Sequence, residues 1–391
     1  MKIFFNRKLL LWLIVLATNS ATAREICETN AKMATDSAHA AIVTKSCAVW
    51  MWGINNAGQL AEKPKSYTEP EKLLRPKSVP LMIDIVVAHD HTLGISEDRY
   101  AYIWGSKEYL SCGGDFFEFH TEPQRVLSIQ NVKSISASWR LTVFLKQDGS
   151  VYEHGCTNQS NHKIEKLPVQ VAGLPRIESV AIGSSHRLAL SETGEVWSWG
   201  DWNVFGQLGT GSKEPQIQPV KVAGLPKIVT ISAGAMHSMA LDTDGNILVW
   251  GSNRDWQLGL GGDYSLSPER ISGIPKVRAI ATGWFSSAAI TTKNRIFVWG
   301  NRSTRGYPTP AEVAGISDVA SVYIGGNAAA TSGIYIVMQN GNVFNWLPDG
   351  RAHENQPVPY ANGKLTPFPP DWPAPFNIEM PNKMLNPDAQ K

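Results

Sequence analysis

Short apolar stretches separated by turn residues run through this chain with a long, regular period. In the clearest copy three follow one another: Ile231 to Ala233, Ser238 to Leu241 and Ile247 to Trp250. Stretches this short, bounded by turn residues, are predicted as strands rather than helices. Asp244-Gly245, between the second and third, is a hairpin signal, because glycine supplies the positive φ of a tight turn at no steric cost. After Trp250-Gly251 comes a loop and then a strand opened by proline, as in Gln218-Pro219-Val220-Lys221-Val222 of the preceding copy; proline is tolerated at a strand start or edge. The unit is therefore four short strands.

The strand ending in Trp-Gly returns as Trp52-Gly53, Trp104-Gly105, Trp199-Gly200, Trp250-Gly251 and Trp299-Gly300. Two eroded copies, Val151 to Gly155 and Val343 to Leu347, bring the series to seven, with 45 to 52 residues between glycine positions. That period suits one propeller blade. The expected fold is all-β, a seven-bladed β-propeller of four-stranded blades. Seven hairpins enclose only six intervening strand pairs, so the ends must supply two strands. Gln356-Pro357-Val358-Pro359 and Met33 to His39 fit those places. The ring is expected to close by N- and C-terminal strands sharing a blade, which removes an exposed edge.

Fourteen residues before each glycine position stand His39, His91, His186 and His237, with Leu141, Ser286 and Gly333 in the other copies. A residue recurring once per repeat belongs to the repeat's own bonding scheme, so each His is read as satisfying a local backbone group rather than performing chemistry. The tryptophans are read as blade-packing residues.

These motifs resemble the regulator of chromosome condensation repeat family: Ala-Gly-x-x-His-Ser-x-Ala-Leu, an Asp-Gly turn, Val-x-x-Trp-Gly and Gly-Gln-Leu-Gly. The best stretch is Ile182 to Gly262, with Gly206-Gln207-Leu208-Gly209 and Trp256-Gln257-Leu258-Gly259; weaker copies extend it from about Met33 to about Val358. The family's fold is a seven-bladed propeller, as the count implies. The chain departs from the motif in the first copy, Gly58-Gln59-Leu60-Ala61, and lacks it in the second, third, sixth and seventh.

Charge is nearly balanced, 36 Lys plus Arg against 34 Asp plus Glu. Without Lys2, Arg7 and Lys8 it is 33 against 34, with no basic block to follow a nucleic-acid backbone or an anionic membrane. The basic start, the apolar run Leu9 to Ala17 and Ala21-Thr22-Ala23 read as a cleaved signal peptide. The expected layout is a signal peptide over 1–23, the propeller over 24–365 and a Pro-rich tail over 366–391. The chain is thus expected to be an exported, bacterial-type member, secreted or periplasmic, monomeric, and without a membrane span after cleavage.

Four cysteines entering an oxidising compartment can form disulfides. Cys47 falls in the first hairpin turn, at the end where the N-terminal strand begins, so pairing with Cys27 is expected. Cys112 and Cys156 occupy post-Trp-Gly loops of consecutive copies and form the second expected pair. No Cys-x-x-Cys or His-Glu-x-x-His occurs, so no metal and no cofactor is expected.

Large side chains where strands cannot bury them mark a candidate binding face. The turns before the His position carry Trp139, Arg140, Met236, Trp284 and Phe285, and the post-Trp-Gly loops carry Trp202, Phe205, Arg254, Asp255 and Trp256. Strand direction sends both loop sets to one face of the disc. Tryptophan and arginine dominate interface hot spots, and loops on rigid scaffolds concentrate binding residues. The competing reading folds several of these rings inward over the channel as plugs.

The leading functional reading is an exported, non-enzymatic propeller that binds a protein partner through this face, as an inhibitor or a scaffold. A secreted bacterial propeller of the resembled family inhibits beta-lactamases, which illustrates the type of role without fixing a target. The first alternative is guanine-nucleotide exchange on a small GTPase by a delivered effector, the activity of the family's founding nuclear member. Against it stand the signal peptide and a third copy that is short after Gly155. The second is a lyase or hydrolase at the channel mouth, where Asp201, Asp255 and Asp263 could converge; turn roles suit these carboxylates better.

Overall fold

A computed structural model of the chain describes residues 32–35, 39–64, 74–106, 119–138, 141–155, 167–301, 306–325, 334–340, 343–346 and 358–359. These form an all-β propeller without a helix among the described residues. The signal peptide, the 366–391 tail, Cys27, Cys112, Cys156, Trp139 and Arg140 lie outside the described residues.

Seven sheets follow one another in chain order, spanning 32–53, 82–125, 132–170, 177–221, 228–270, 277–312 and 319–359; we number them sheets 1 to 7. In sheet 5 the strands are Ile228–Ala233, His237–Asp242, Ile247–Ser252 and Tyr264–Arg270, so the expected stretches are present and lengthen at their ends. All pairings are antiparallel, and each sheet runs in sequence order from its first strand outward. Sheets 2 to 7 share a β-bulge near the start of the first strand, as between Ile228 and Thr230. A bulge increases local twist.

Two expectations about blade assembly are corrected. Among the described residues six sheets are complete four-stranded blades, not seven; sheet 1 has three strands there, with an isolated Met51–Leu74 bridge at its outer edge. The termini do not share a blade. Lys32–Thr35 pairs with His39–Val43 in sheet 1, whereas Val358–Pro359 pairs with Val343–Trp346 in sheet 7. Both terminal strands stay on their own hairpins, the arrangement that needs the shortest connections.

Side-chain packing closes the ring instead. One apolar cluster fills each junction between consecutive sheets: Leu188, Val196, Ile228 and Trp250 lie between sheets 4 and 5, for example. The closing cluster joins Met33, Ile42 and Trp52 of sheet 1 to Tyr335 and Val337 of sheet 7. Trp104, Trp250 and Trp299 are fully buried, as their packing role requires. Gly251 follows Trp250 at φ +100°, and a Cβ there would lie 2.6 Å from the Met236 carbonyl oxygen. Only glycine lets the third strand leave its sheet at that point.

Candidate protein-binding face

The strand register places the recurrent histidines opposite the Trp-Gly glycines: His39 with Gly53, His91 with Gly105 and His237 with Gly251. The turn before each His and the loop after each Trp-Gly therefore emerge at the same end of every sheet. Backbone bonds tie the two together, from Ser252 N–H to Met236 O at 2.8 Å and from Asn301 N–H to Phe285 O at 2.7 Å.

Beneath this face lies a repeated relay that crosses from one sheet to the next. His39 Nε2 lies 2.7 Å from Thr92 Oγ1 of sheet 2, and that hydroxyl donates to the Gln59 carbonyl at 2.9 Å. His186 Nε2 meets Ser238 Oγ of sheet 5, which donates to Gln207 O. His237 Nε2 meets Ser287 Oγ of sheet 6, which donates to Gln257 O. Since each hydroxyl spends its one hydrogen on a carbonyl, it must accept from the imidazole, which fixes the Nε2–H tautomer. Trp104, Trp250 and Trp299 each donate Nε1–H to the same carbonyls at 2.9 to 3.0 Å. The Nδ1 atoms of His39, His186 and His237 are buried without a hydrogen-bond partner, and burial, the largest cause, pushes all three pKa values down to about 3. These rings are neutral links between sheets. The expectation of a local backbone partner is thus corrected: the partner is a hydroxyl on the neighbouring sheet. His91 differs, its Nδ1 lying 3.2 Å from Asp90 Oδ1.

Between sheets 3 and 4 the relay is replaced. Arg187 stands at the hydroxyl position, one residue after His186, and its Nε–H donates to Glu153 Oε1 at 3.1 Å. Trp199 Nε1–H donates to that same oxygen at 2.7 Å. One carboxylate of sheet 3 does the work that a loop carbonyl does elsewhere.

The loops above the relay are built to one plan. Asn203 Oδ1 accepts from Leu208 N–H, and its Nδ2 donates to the Ser212 and Glu214 carbonyls; Asn55 and Asn253 repeat the scheme. Gln207 Nε2 donates to Trp202 O at 2.8 Å and to Ser185 Oγ at 3.3 Å. Gly58 and Gly206 take φ +78° in this loop, and Trp256 occupies the equivalent position at φ +64°. The sequence reading missed the Asn and Gln roles, although Asn-x-x-x-Gln-Leu is visible in all three copies.

The candidate residues divide into two groups. Met236 and Trp284 line the mouth of the axial channel, a cavity of about 370 Å³ to which the first strand of every sheet contributes. Asp201 lines it as well; Asp255 and Asp263 do not, so the three carboxylates do not converge there. Farther out, Trp202 is 42% exposed and Val204 43%, and Arg254 stacks over the Phe205 ring at 4.6 Å, joining the loops of sheets 4 and 5. Asp255 and Trp256 are half-buried beside them. Phe285 is half-buried edge-on to Trp284, with centroids 6.1 Å apart. Part of the set therefore lines the channel mouth, and part stands clear of it. Among the described residues, no group of three or more His, Cys, Asp or Glu is placed to hold a metal.

A ring of radial sheets with these loop and hairpin motifs defines a propeller of the regulator of chromosome condensation type. The chain belongs to the RCC1-like domain family, whose model matches residues 17–331. It is 28% identical over 249 residues to the ultraviolet-B receptor UVR8 of Arabidopsis thaliana, covering 59% of this chain and 54% of that protein. It is 30% identical over 252 residues to the mitochondrial RCC1 domain-containing protein RUG3 of the same plant, covering 57% and 54%. The chain thus spans about half the length of these relatives. Prp20p of Saccharomyces cerevisiae shares the fold at a TM-score of 0.67 and 22% identity, covering 81% of this chain and 86% of that one.

Proposed function

We propose that this chain is an exported, non-enzymatic RCC1-like propeller that binds a protein partner through its Gly-x-x-His face, as an inhibitor or a scaffold. The observation that carries this reading is the contrast within the face. Loop frames are locked by buried Asn and Gln side chains, while Trp202, Val204 and Arg254 project into solvent. A pre-organised frame lowers the entropy lost on association. Prp20p has been studied for binding to Gsp1p and histones, and Kap60 has been seen bound to yeast RCC1; protein binding on this fold has that precedent.

The N-terminal signal supports export, and the Cys27–Cys47 and Cys112–Cys156 pairs belong to the same reading. Cys47 sits in the glycine seat of its hairpin turn at φ +60°, and Lys32, the first described residue, pairs with Val43 beside that turn. Among the described residues there is no free cysteine. A non-reducing peptide map tests the pairs.

The partner test is affinity capture from the secreted or periplasmic fraction, comparing wild type with Trp202→Ala and Trp284→Ala. Loss of the captured protein in both variants, with unchanged thermal stability of Trp202→Ala, supports the face. Unchanged capture discards it. Nucleotide exchange stimulated on a small GTPase would replace the inhibitor or scaffold role with catalysis of exchange.

A further inference from the structure

We propose that the hairpin end of sheet 5, opposite the Gly-x-x-His face, carries a binding site for a tetrahedral oxyanion, a phosphate or sulfate group. The site depends neither on export nor on a protein partner at the other face.

Corresponding positions in three consecutive sheets show what is peculiar there. Strand register sets Lys221 opposite Trp197, Arg270 opposite Leu248 and Glu312 opposite Phe297, the same place in sheets 4, 5 and 6. One position before each third strand stand Glu195, Asn246 and Arg295. In sheet 4 Lys221 Nζ donates to Glu195 Oε1 at 2.6 Å, and in sheet 6 Arg295 pairs with Glu312, the charges exchanged. Sheet 5 has the cation without the acid. Arg270 Nη2 donates instead to Asn246 Oδ1 at 2.5 Å, and Lys276 Nζ, from the connection into sheet 6, donates to that same oxygen at 3.2 Å.

Two positive charges therefore converge on one neutral oxygen. The amide is fixed in that orientation, because its Nδ2 donates to Asp242 Oδ2 at 2.8 Å. Asp242 is itself committed to the turn, accepting from the Asp244 and Asn246 backbone N–H groups at 2.9 and 2.8 Å. Among the described residues neither Arg270 nor Lys276 forms an ion pair, and both are exposed. Each spends one N–H on the amide and keeps the others. A phosphate group carries about two negative charges near pH 7 and presents oxygens in several directions, so one group meets the guanidinium fork and the ammonium together.

The test titrates the full chain with inorganic phosphate, and separately with sulfate, at an ionic strength held constant with chloride, while following the Gly245 backbone amide resonance. Constant ionic strength is needed because salt screens an exposed site. Acetate is the control anion, and Gly194, the same turn position in sheet 4, is the control resonance. A saturable shift of Gly245 but not of Gly194 is expected with both tetrahedral anions, with a dissociation constant on the order of millimolar. Arg270→Gln and Lys276→Gln should each weaken binding about tenfold, the loss of one charge-assisted contact, whereas Lys227→Gln, the same change one sheet earlier, leaves it unaltered. These side chains are exposed, so the variants are expected to fold. An equal response to acetate, equal shifts of both glycines, unchanged affinity in Arg270→Gln and Lys276→Gln, or no saturable shift would each overturn the proposal. Partner capture does not enter the readout, so failure of the face reading is told apart from failure of this site.

Discussion

The junction between sheets 4 and 5 and that between sheets 3 and 4 solve one problem with different chemistry. In the first, neutral His186, the Ser238 hydroxyl and the Gln207 carbonyl form a relay that also takes the Trp250 N–H. In the second, Arg187 and Glu153 replace hydroxyl and carbonyl together, and Trp199 follows its acceptor to the carboxylate. The tryptophan is therefore the fixed demand of each junction: a buried N–H needs an acceptor, whichever side chain or backbone supplies it. Neutral relays can lose a member at modest cost, whereas a buried ion pair is all or nothing.

The largest expected effect follows from that contrast. Glu153→Ala strands a nearly buried guanidinium and an indole N–H, and removing one partner of such a pair costs about 3–5 kcal/mol. Urea unfolding should show that loss, with Arg187→Met plus Glu153→Leu recovering most of it, since apolar replacement of a whole buried pair is often close to neutral. A single and a double variant of equal stability would dissolve the comparison.

Next comes the neutral relay. Ser287→Ala leaves the His237 Nε2–H without an acceptor, a loss of about 1–3 kcal/mol. The relay also sets a pH dependence of definite sign. In the folded chain His39, His186 and His237 have pKa values near 3, against 6.5 for an unperturbed imidazole. Between those values the unfolded chain binds protons that the folded chain refuses. The contribution is present above about pH 6.5 and is lost progressively as pH falls toward 3. Acid unfolding of His237→Gln should be shallower across this window than that of wild type. An identical slope would mean that the imidazole is not the titrating link.

Much of this frame was legible in the chain, and the parts that were not share a cause. Counting fourteen residues back from each glycine found the pairing His237–Gly251 because a hairpin's register is local. The relay crosses 50 to 53 residues of sequence, so nothing local announced that His186 reaches Ser238. Arg187, standing where the other copies have Thr92, Ser238 and Ser287, was the visible trace of the substituted junction. The closure was not legible because the sequence shows that Gln356 to Pro359 follows the last hairpin but not which sheet it joins. Proximity decided it, with Val358 pairing to Asn345. Trp202 and Trp284 share the expected face yet lie in different surroundings, since strand direction fixes the end of a sheet but not the distance from the ring axis.

The smallest effects concern two loops with one frame. Gly206 and Trp256 occupy the same left-handed position; a Cβ on Gly206 would lie 2.7 Å from Leu266 Cα, while Trp256 carries its ring there at φ +64°. Holding an L-residue in that region costs roughly 1–2 kcal/mol relative to glycine. Trp256→Gly is therefore expected to leave the protein as stable as wild type, or more stable by about 1 kcal/mol, once the lost ring contacts are set against the relieved backbone. If Trp256 is kept for contact rather than for folding, the same variant should lose partner capture while its melting temperature holds or rises. A fall in melting temperature would assign the ring to the frame and take Trp256 out of the binding face. Trp202→Ala, exposed and outside the frame, should shift stability by no more than about 0.5 kcal/mol and still abolish capture.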